Sequence, residues 1–158
     1  MKKILLILMA IFAFGTQNVS AQDAPLKIVT NHPDFKIKVK RCAASGKTVI
    51  IDLILNNIGT TDVNAQARSW CSVAYDNEGN IYDENNIYVK VANRPEFGAY
   101  SGMFDIPTGV PMRLTVRIDN VSTEAESFAR LKLHIDCNKW GLNESKLIMF
   151  SNIPISRD

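Results

Sequence analysis

The stretch RCAASGKTVIID, Arg41 to Asp52, decides between two folds. Its Ser45-Gly46-Lys47-Thr48 core matches the end of a nucleotide-binding loop. That loop needs G-x-x-x-x-G-K-[ST], because its first glycine makes the tight turn that lets backbone amides wrap the phosphates. Here the first glycine position holds Arg41, whose side chain obstructs the cradle. A phosphate loop also joins a buried strand to a helix. The residues after Thr48 are Val49-Ile50-Ile51-Asp52-Leu53-Ile54-Leu55, a short β-branched run that favours a strand. Upstream, Phe35, Ile37 and Val39 alternate with Lys36, Lys38 and Lys40, the period of a half-buried strand. Two strands around Ala43–Lys47, with Gly46 free to take an unusual φ, predict a β-hairpin.

The same alternation continues along the chain. Strands are predicted over Gln66–Asp76, at Ile81-Tyr82, over Ile87–Val91, Tyr100–Ile106 and Met112–Asp119, then over Ala129–Cys137 and Leu147–Phe150. In the third strand Ala67, Ser69, Cys71, Val73 and Tyr75 are expected to share one face. Loop compositions separate these runs: NNIGTTDVNA, DNEGN, ANRPEFG and PTGVP. STEAES, Ser122 to Ser127, has capping-box spacing at Thr123 and Glu126 and reads as one turn bridging two strands. About eight or nine short strands, most of them apolar on one face and polar on the other, predict an all-β antiparallel sandwich.

The succession VIIDLILNN, AYDNEGNIY, FDIPTGVPMRLTVRI and ESFARLKLHI resembles a family of secreted bacterial immunoglobulin-like sandwiches of unknown function. The resemblance runs from about Phe35 to Phe150 and rests on an Asn-rich turn, a D-x-x-G hairpin and a Pro-x-Gly turn. It implies an immunoglobulin-like fold and export, and it brings no catalytic residues. In many such sandwiches the first and eighth strands are parallel neighbours, which would place Cys42 and Cys137 at one pole as a disulfide pair. Three cysteines cannot all pair, so other pairings and no bridge at all stay open. Cys71, in mid-strand, reads as a buried thiol.

Residues 1–21 read as a signal peptide. Lys2 and Lys3 precede an apolar run from Ile4 to Gly15, and Val19-Ser20-Ala21 offers compact residues for cleavage after Ala21. The run is too short to span a bilayer, so no transmembrane anchor is expected after cleavage. Residues 22–34 form a lead-in and residues 35–156 a single domain, secreted or periplasmic. Lys2 and Lys3 account for the whole formal charge of +2, leaving sixteen basic and sixteen acidic residues. Global charge therefore gives no argument for nucleic acid or an anionic membrane, and no nucleic-acid partner is expected.

No nucleophile elbow, zinc-protease helix or cysteine-protease signature occurs, so a non-enzymatic binding or interaction module is expected, with no cofactor and no metal. The alternative is a secreted enzyme with a site assembled from loops. Asp76, Glu78 and Asn80 have the first spacings of a calcium loop, but Ile81 stands where its glycine belongs. Two surfaces are candidates. Lys36, Lys38, Lys40, Arg113, Arg117, Arg130, Lys132 and His134 would form one basic face if their strands were neighbours, suited to an acidic protein or an anionic glycan or lipid surface. Trp70 and Trp140 either stack on sugars, making a carbohydrate-binding domain, or fill the core and its end, with a bulge shifting the phase of Trp70.

Overall fold

The computed structural model describes residues 24–98, 103–139 and 142–157, with backbone alone for 138–139 and 142–146. The expected signal peptide, Tyr100 and Trp140 lie outside the described residues. Along the chain run β1 (Lys27–Thr30), β2 (Phe35–Ser45), β3 (Thr48–Asn57), β4 (Val63–Asp76), β5 (Ile81–Tyr82) and β6 (Ile87–Val91). They are followed by β7 (Phe104–Ile106), β8 (Met112–Ile118), β9 (Ser127–Lys139), β10 (Leu142–Pro154) and β11 (Ser156–Arg157). The hairpin forms as the β-branched run requires. β2 and β3 pair from Phe35↔Asn57 to Ser45↔Thr48, so only Gly46 and Lys47 make the turn, with Gly46 at φ 58°.

The strands build an all-β, immunoglobulin-like sandwich. One sheet has the order β1-β10-β9-β4-β5, with β7 also on β4; the other has the order β11-β2-β3-β8-β6. Neighbours are antiparallel except β11, which runs parallel to β2 at Ala43 and Ala44. The strands beyond the eight or nine expected are β1 and β11, both short edge strands. Alternation sends Ile51, Leu53 and Leu55 of β3 and Leu114, Val116 and Ile118 of β8 inward. They join Leu131, Leu133 and Ile135 of β9 and Ile148 and Phe150 of β10 in one fully buried cluster. Each such side chain contributes roughly 1.5–3 kcal/mol relative to its exposed state. Ser122–Ser127 is a turn, and it carries the chain from β8 in one sheet to β9 in the other. Arg157 of β11 fastens this turn by donating to Ser122 O (2.7 Å) and Ala125 O (2.9 Å).

The cysteine expectation took the strands of Cys42 and Cys137 to be neighbours, and they are not. Cys42 lies on β2 and Cys137 on β9, in opposite sheets, and the expected Cys42–Cys137 bridge is not formed. Cys42 is a buried thiol; burial, partly offset by the charge of Arg157, pushes it up to about 12. At neutral pH it is inert. Cys71 is a thiol too, but it is only partly buried.

β4 also departs from its predicted phase. Its register with β9 jumps from Arg68↔His134 to Val73↔Lys132, so the segment 69–72 bulges out of the ladder. Ala67 and Ser69 point inward as expected, but beyond the bulge Ser72, Ala74 and Asp76 are the buried set. Cys71, Val73 and Tyr75 are thereby turned away from the core.

Candidate functional site

The outer face of the β2-β3-β8-β6 sheet concentrates the chemistry. On β2, Lys36 and Lys38 point outward opposite Asn56 and Ile54. A bulge between Val39 and Arg41 inserts Lys40 as an extra residue, so Lys40 and Arg41 are both exposed and Arg41 lands opposite Asp52. The cross-sheet row is then Arg41, Asp52, Thr115 and Lys90, one residue from each of four strands. A neighbouring row is Lys38, Ile54 and Arg113.

Asp52 organises this face. It is 6% exposed in the middle of a sheet, where an isolated charge would be costly. Arg41 Nη2 lies 3.1 Å from its Oδ2, and Arg113 Nη2 donates to its Oδ1 at 3.0 Å. Thr115 Oγ1 donates to Oδ1 at 2.9 Å. Burial alone would raise the carboxyl's pKa. The hydrogen bonds from Arg113 and Thr115 and the charges of Arg113 and Arg41 outweigh that, holding it below the usual carboxylate range. Both arginine side chains stay about 60% exposed, so their remaining N–H groups face outward. Beside them opens a cleft of about 500 Å³ lined by Arg41, Asp52, Lys90, Asn93, Met112 and Arg113, among others.

Arg117, on the same face, is differently placed. Its Nε donates to Glu96 Oε1 at 2.9 Å, its Nη1 pairs with Asp119, and its guanidinium lies 4.0 Å from the Tyr88 ring centroid. The hydrogen bond to Glu96 is the largest of the effects raising its pKa. These two carboxylates more than offset its single charge. Lys36, Lys38, Lys40 and Lys90 form no ion pair among the described residues.

The predicted eight-residue basic face is split. Lys36, Lys38, Lys40, Arg113 and Arg117 share the β2-β3-β8-β6 sheet, whereas Arg130, Lys132 and His134 lie on β9 of the opposite sheet. Burial lowers the pKa of His134 against the pull of Asp136, so at neutral pH it adds no charge. Three members of the face escaped the sequence reading: Arg41, Asp52 and Lys90. The bulge that aligns Arg41 with Asp52 has no compositional mark. A lone aspartate inside the apolar run VIIDLIL was the signal that something must neutralise it.

Trp70 sits in the β4 bulge and is 41% exposed. The bulge expected around it exists, but it leaves the ring outside rather than in the core. The Arg68 guanidinium lies 5.6 Å from the ring centroid and also pairs with the buried Asp136. Asp76, Glu78 and Asn80 form a turn in which both Asp76 oxygens accept hydrogen bonds from the protein itself. His32, the other histidine, stacks on Phe35 at 3.7 Å between centroids, and its Nδ1 accepts from Asp34 N.

No family model matches the chain, and comparison with curated proteins finds no match. Among solved structures it is similar to a family 123 glycoside hydrolase from Clostridium perfringens, with a TM-score of 0.39, 14% identity and 85% of this chain covered. The chain spans 27% of that hydrolase's length. It is also similar to the CooA pilin subunit from enterotoxigenic Escherichia coli, with a TM-score of 0.38, 10% identity, and 80% of this chain and 98% of that one covered. MyfA, the major subunit of Myf fimbriae from Yersinia enterocolitica, gives a TM-score of 0.40 at 6% identity over 84% of this chain and 99% of its own. At scores of this size neither the activity nor the assembly of those proteins transfers to this chain.

Proposed function

We propose that this chain is an exported, non-enzymatic interaction module that binds an anionic partner through the outer face of the β2-β3-β8-β6 sheet. The observation that carries the reading is the grouping of Lys36, Lys38, Lys40, Arg41, Lys90 and Arg113 around one buried carboxylate, Asp52. Glu96 and Asp119 on the same face are spent on Arg117. Without residues 1–21 the chain has as many acidic as basic residues, so this face carries a local excess that the whole chain lacks. Export rests on the composition of residues 1–21. Among the described residues no helix is long and apolar enough to cross a membrane.

Lysines on an edge strand also deter edge-to-edge pairing, and β2 has a partner on its outer side only at Ala43 and Ala44. That role suits Lys36 and Lys38. It does not extend to Arg113, which stands on the interior strand β8, nor to the clamping of both arginines on Asp52.

Retention on immobilised heparin at low salt tests the reading. The Lys36→Glu/Lys38→Glu/Lys90→Glu variant is expected to pass unretained with an unchanged melting temperature, because all three side chains are exposed. Arg130→Glu/Lys132→Glu, on the opposite sheet, is expected to elute with the unmodified protein. Equal retention of the triple variant, or loss of retention in the β9 variant alone, contradicts it.

A further inference from the structure

We infer that Arg41 and Arg113, clamped by Asp52, form a receptor for a tetrahedral oxyanion ester, a sulfate or phosphate, carried by the anionic partner. The inference rests on the reading above and specifies its ligand chemistry. Arg41 belongs to β2 and Arg113 to β8, with β3 between them, so their backbones stand two strand spacings apart across the sheet, about 9–10 Å, and two residues apart along it. Both guanidiniums nonetheless converge on one carboxylate, one on each oxygen. Each keeps further N–H donors of its five for another acceptor. With both side chains about 60% exposed, those donors border the cleft that Lys90 also lines.

The number of acceptor oxygens decides the ligand class. A carboxylate has two oxygens, and one guanidinium fork occupies both. A sulfate or phosphate ester offers three unesterified oxygens and can bridge both forks and an ammonium at once. The cleft volume of about 500 Å³ falls within the range of small-ligand sites. Ala92, Pro111 and Met112 give it an apolar wall for the carbon skeleton bearing the ester. Asp52 is a positioning residue. It and Thr115 hold the arginine arrangement before any ligand arrives, so less side-chain freedom is lost on binding.

This role has an outcome opposite in sign to that of simple charge attraction. Asp52→Asn removes a negative charge from a basic face, so attraction alone would tighten polyanion binding. Loss of the clamp weakens it instead. Arg113→Lys keeps the charge and removes the planar fork, so attraction alone predicts no change.

Calorimetric titration at fixed salt would use heparin, a dextran bearing phosphate monoesters and polygalacturonate of matched charge. The unmodified protein is expected to bind heparin or the phosphorylated dextran more tightly than the carboxylate polymer. Both variants are expected to lose about tenfold or more in affinity for the preferred polymer, the scale of one charge-assisted hydrogen bond. Their affinity for polygalacturonate should not fall, and for Asp52→Asn it should rise if it changes at all. Preference for heparin identifies a sulfate ester, and preference for the phosphorylated dextran a phosphate ester; both support the inference. Binding by Asp52→Asn that is unchanged or tighter, with Arg113→Lys also unchanged, overturns it while leaving the broader reading intact. Equal affinity for all three polymers overturns it as well. If the unmodified protein binds none of them, the broader reading fails first. Should Asp52→Asn not fold, as judged by circular dichroism, Arg113→Lys at an exposed position still decides.

Discussion

Asp76→Ala should cost the domain about 2–4 kcal/mol, a large share of the stability of a domain this size. Asp76 is 3% exposed and closes the turn after β4 with its carboxylate. Oδ1 accepts from Glu78 N and Asn80 N, both at 2.9 Å. Oδ2 accepts from Asn80 Nδ2 at 2.8 Å and from the Tyr82 hydroxyl at 2.7 Å. That hydroxyl in turn accepts from Ser122 N at 3.1 Å, and its ring packs edge-on against Phe128 with centroids 6.0 Å apart. Alanine would leave the buried Tyr82 hydroxyl without its acceptor and remove the carboxylate that closes the turn through Glu78 and Asn80. Urea denaturation measures the loss, and a change below about 1 kcal/mol would contradict this role.

The pH dependence follows from the same contacts. Burial raises the Asp76 pKa, but hydrogen bonds from Asn80, Tyr82 and the amides of Asn80 and Glu78 outweigh it, and the net shift is downward. Asp52 is shifted downward as well. A carboxyl whose folded pKa lies below its unfolded value stabilises fully above the unfolded value, about 3.9. That contribution is lost as pH falls through the folded pKa. Stability should therefore drop below about pH 4, and Asp76→Asn should flatten the acid limb of the curve.

The second large effect is expected at Asn57, where alanine should cost about 2–4 kcal/mol. Asn57 is fully buried at the end of β3. Its Nδ2 donates to Thr61 O at 2.8 Å and Ile106 O at 3.1 Å, and its Oδ1 accepts from Gly59 N at 3.0 Å. One amide thus ties the loop after β3 to the end of β7. Gly59 is fixed by the same packing, since a Cβ there would come within 2.9 Å of the Asp34 carboxylate. Asn57→Asp should be about as damaging, because it replaces two donations with a buried charge. Denaturation midpoints of both variants near the unmodified value would contradict the assignment.

Much of this fold was legible because alternation is local. Phe35, Ile37 and Val39, and Leu114, Val116 and Ile118, revealed their strands without reference to anything distant. Sheet membership is not local. β8 and β9 are consecutive and both basic on one side, yet the turn at Ser122–Ser127 delivers them to opposite layers. Nothing in either strand's pattern marks the crossing. Alternation alone therefore groups Arg130 and Lys132 with Arg113 and Arg117, which the fold separates.

Bulges hid the rest. A single inserted residue leaves composition untouched while inverting every later side chain. At Lys40 the bulge brings Arg41 over Asp52 and builds the candidate site. At residues 69–72, where four residues of β4 stand against one of β9, a longer bulge turns Cys71 outward and leaves Trp70 exposed. The bulge beside Arg41 has no glycine to announce it.

The most direct measurement is amide chemical-shift mapping during a titration with heparin. Perturbations should cluster on β2, β3, β8 and β6, centred on Arg41, Asp52, Lys90 and Arg113, and leave β9 and β10 unchanged. Shifts centred on Arg130, Lys132 and Trp70, or none at saturating heparin, would contradict a binding site on the β2-β3-β8-β6 face.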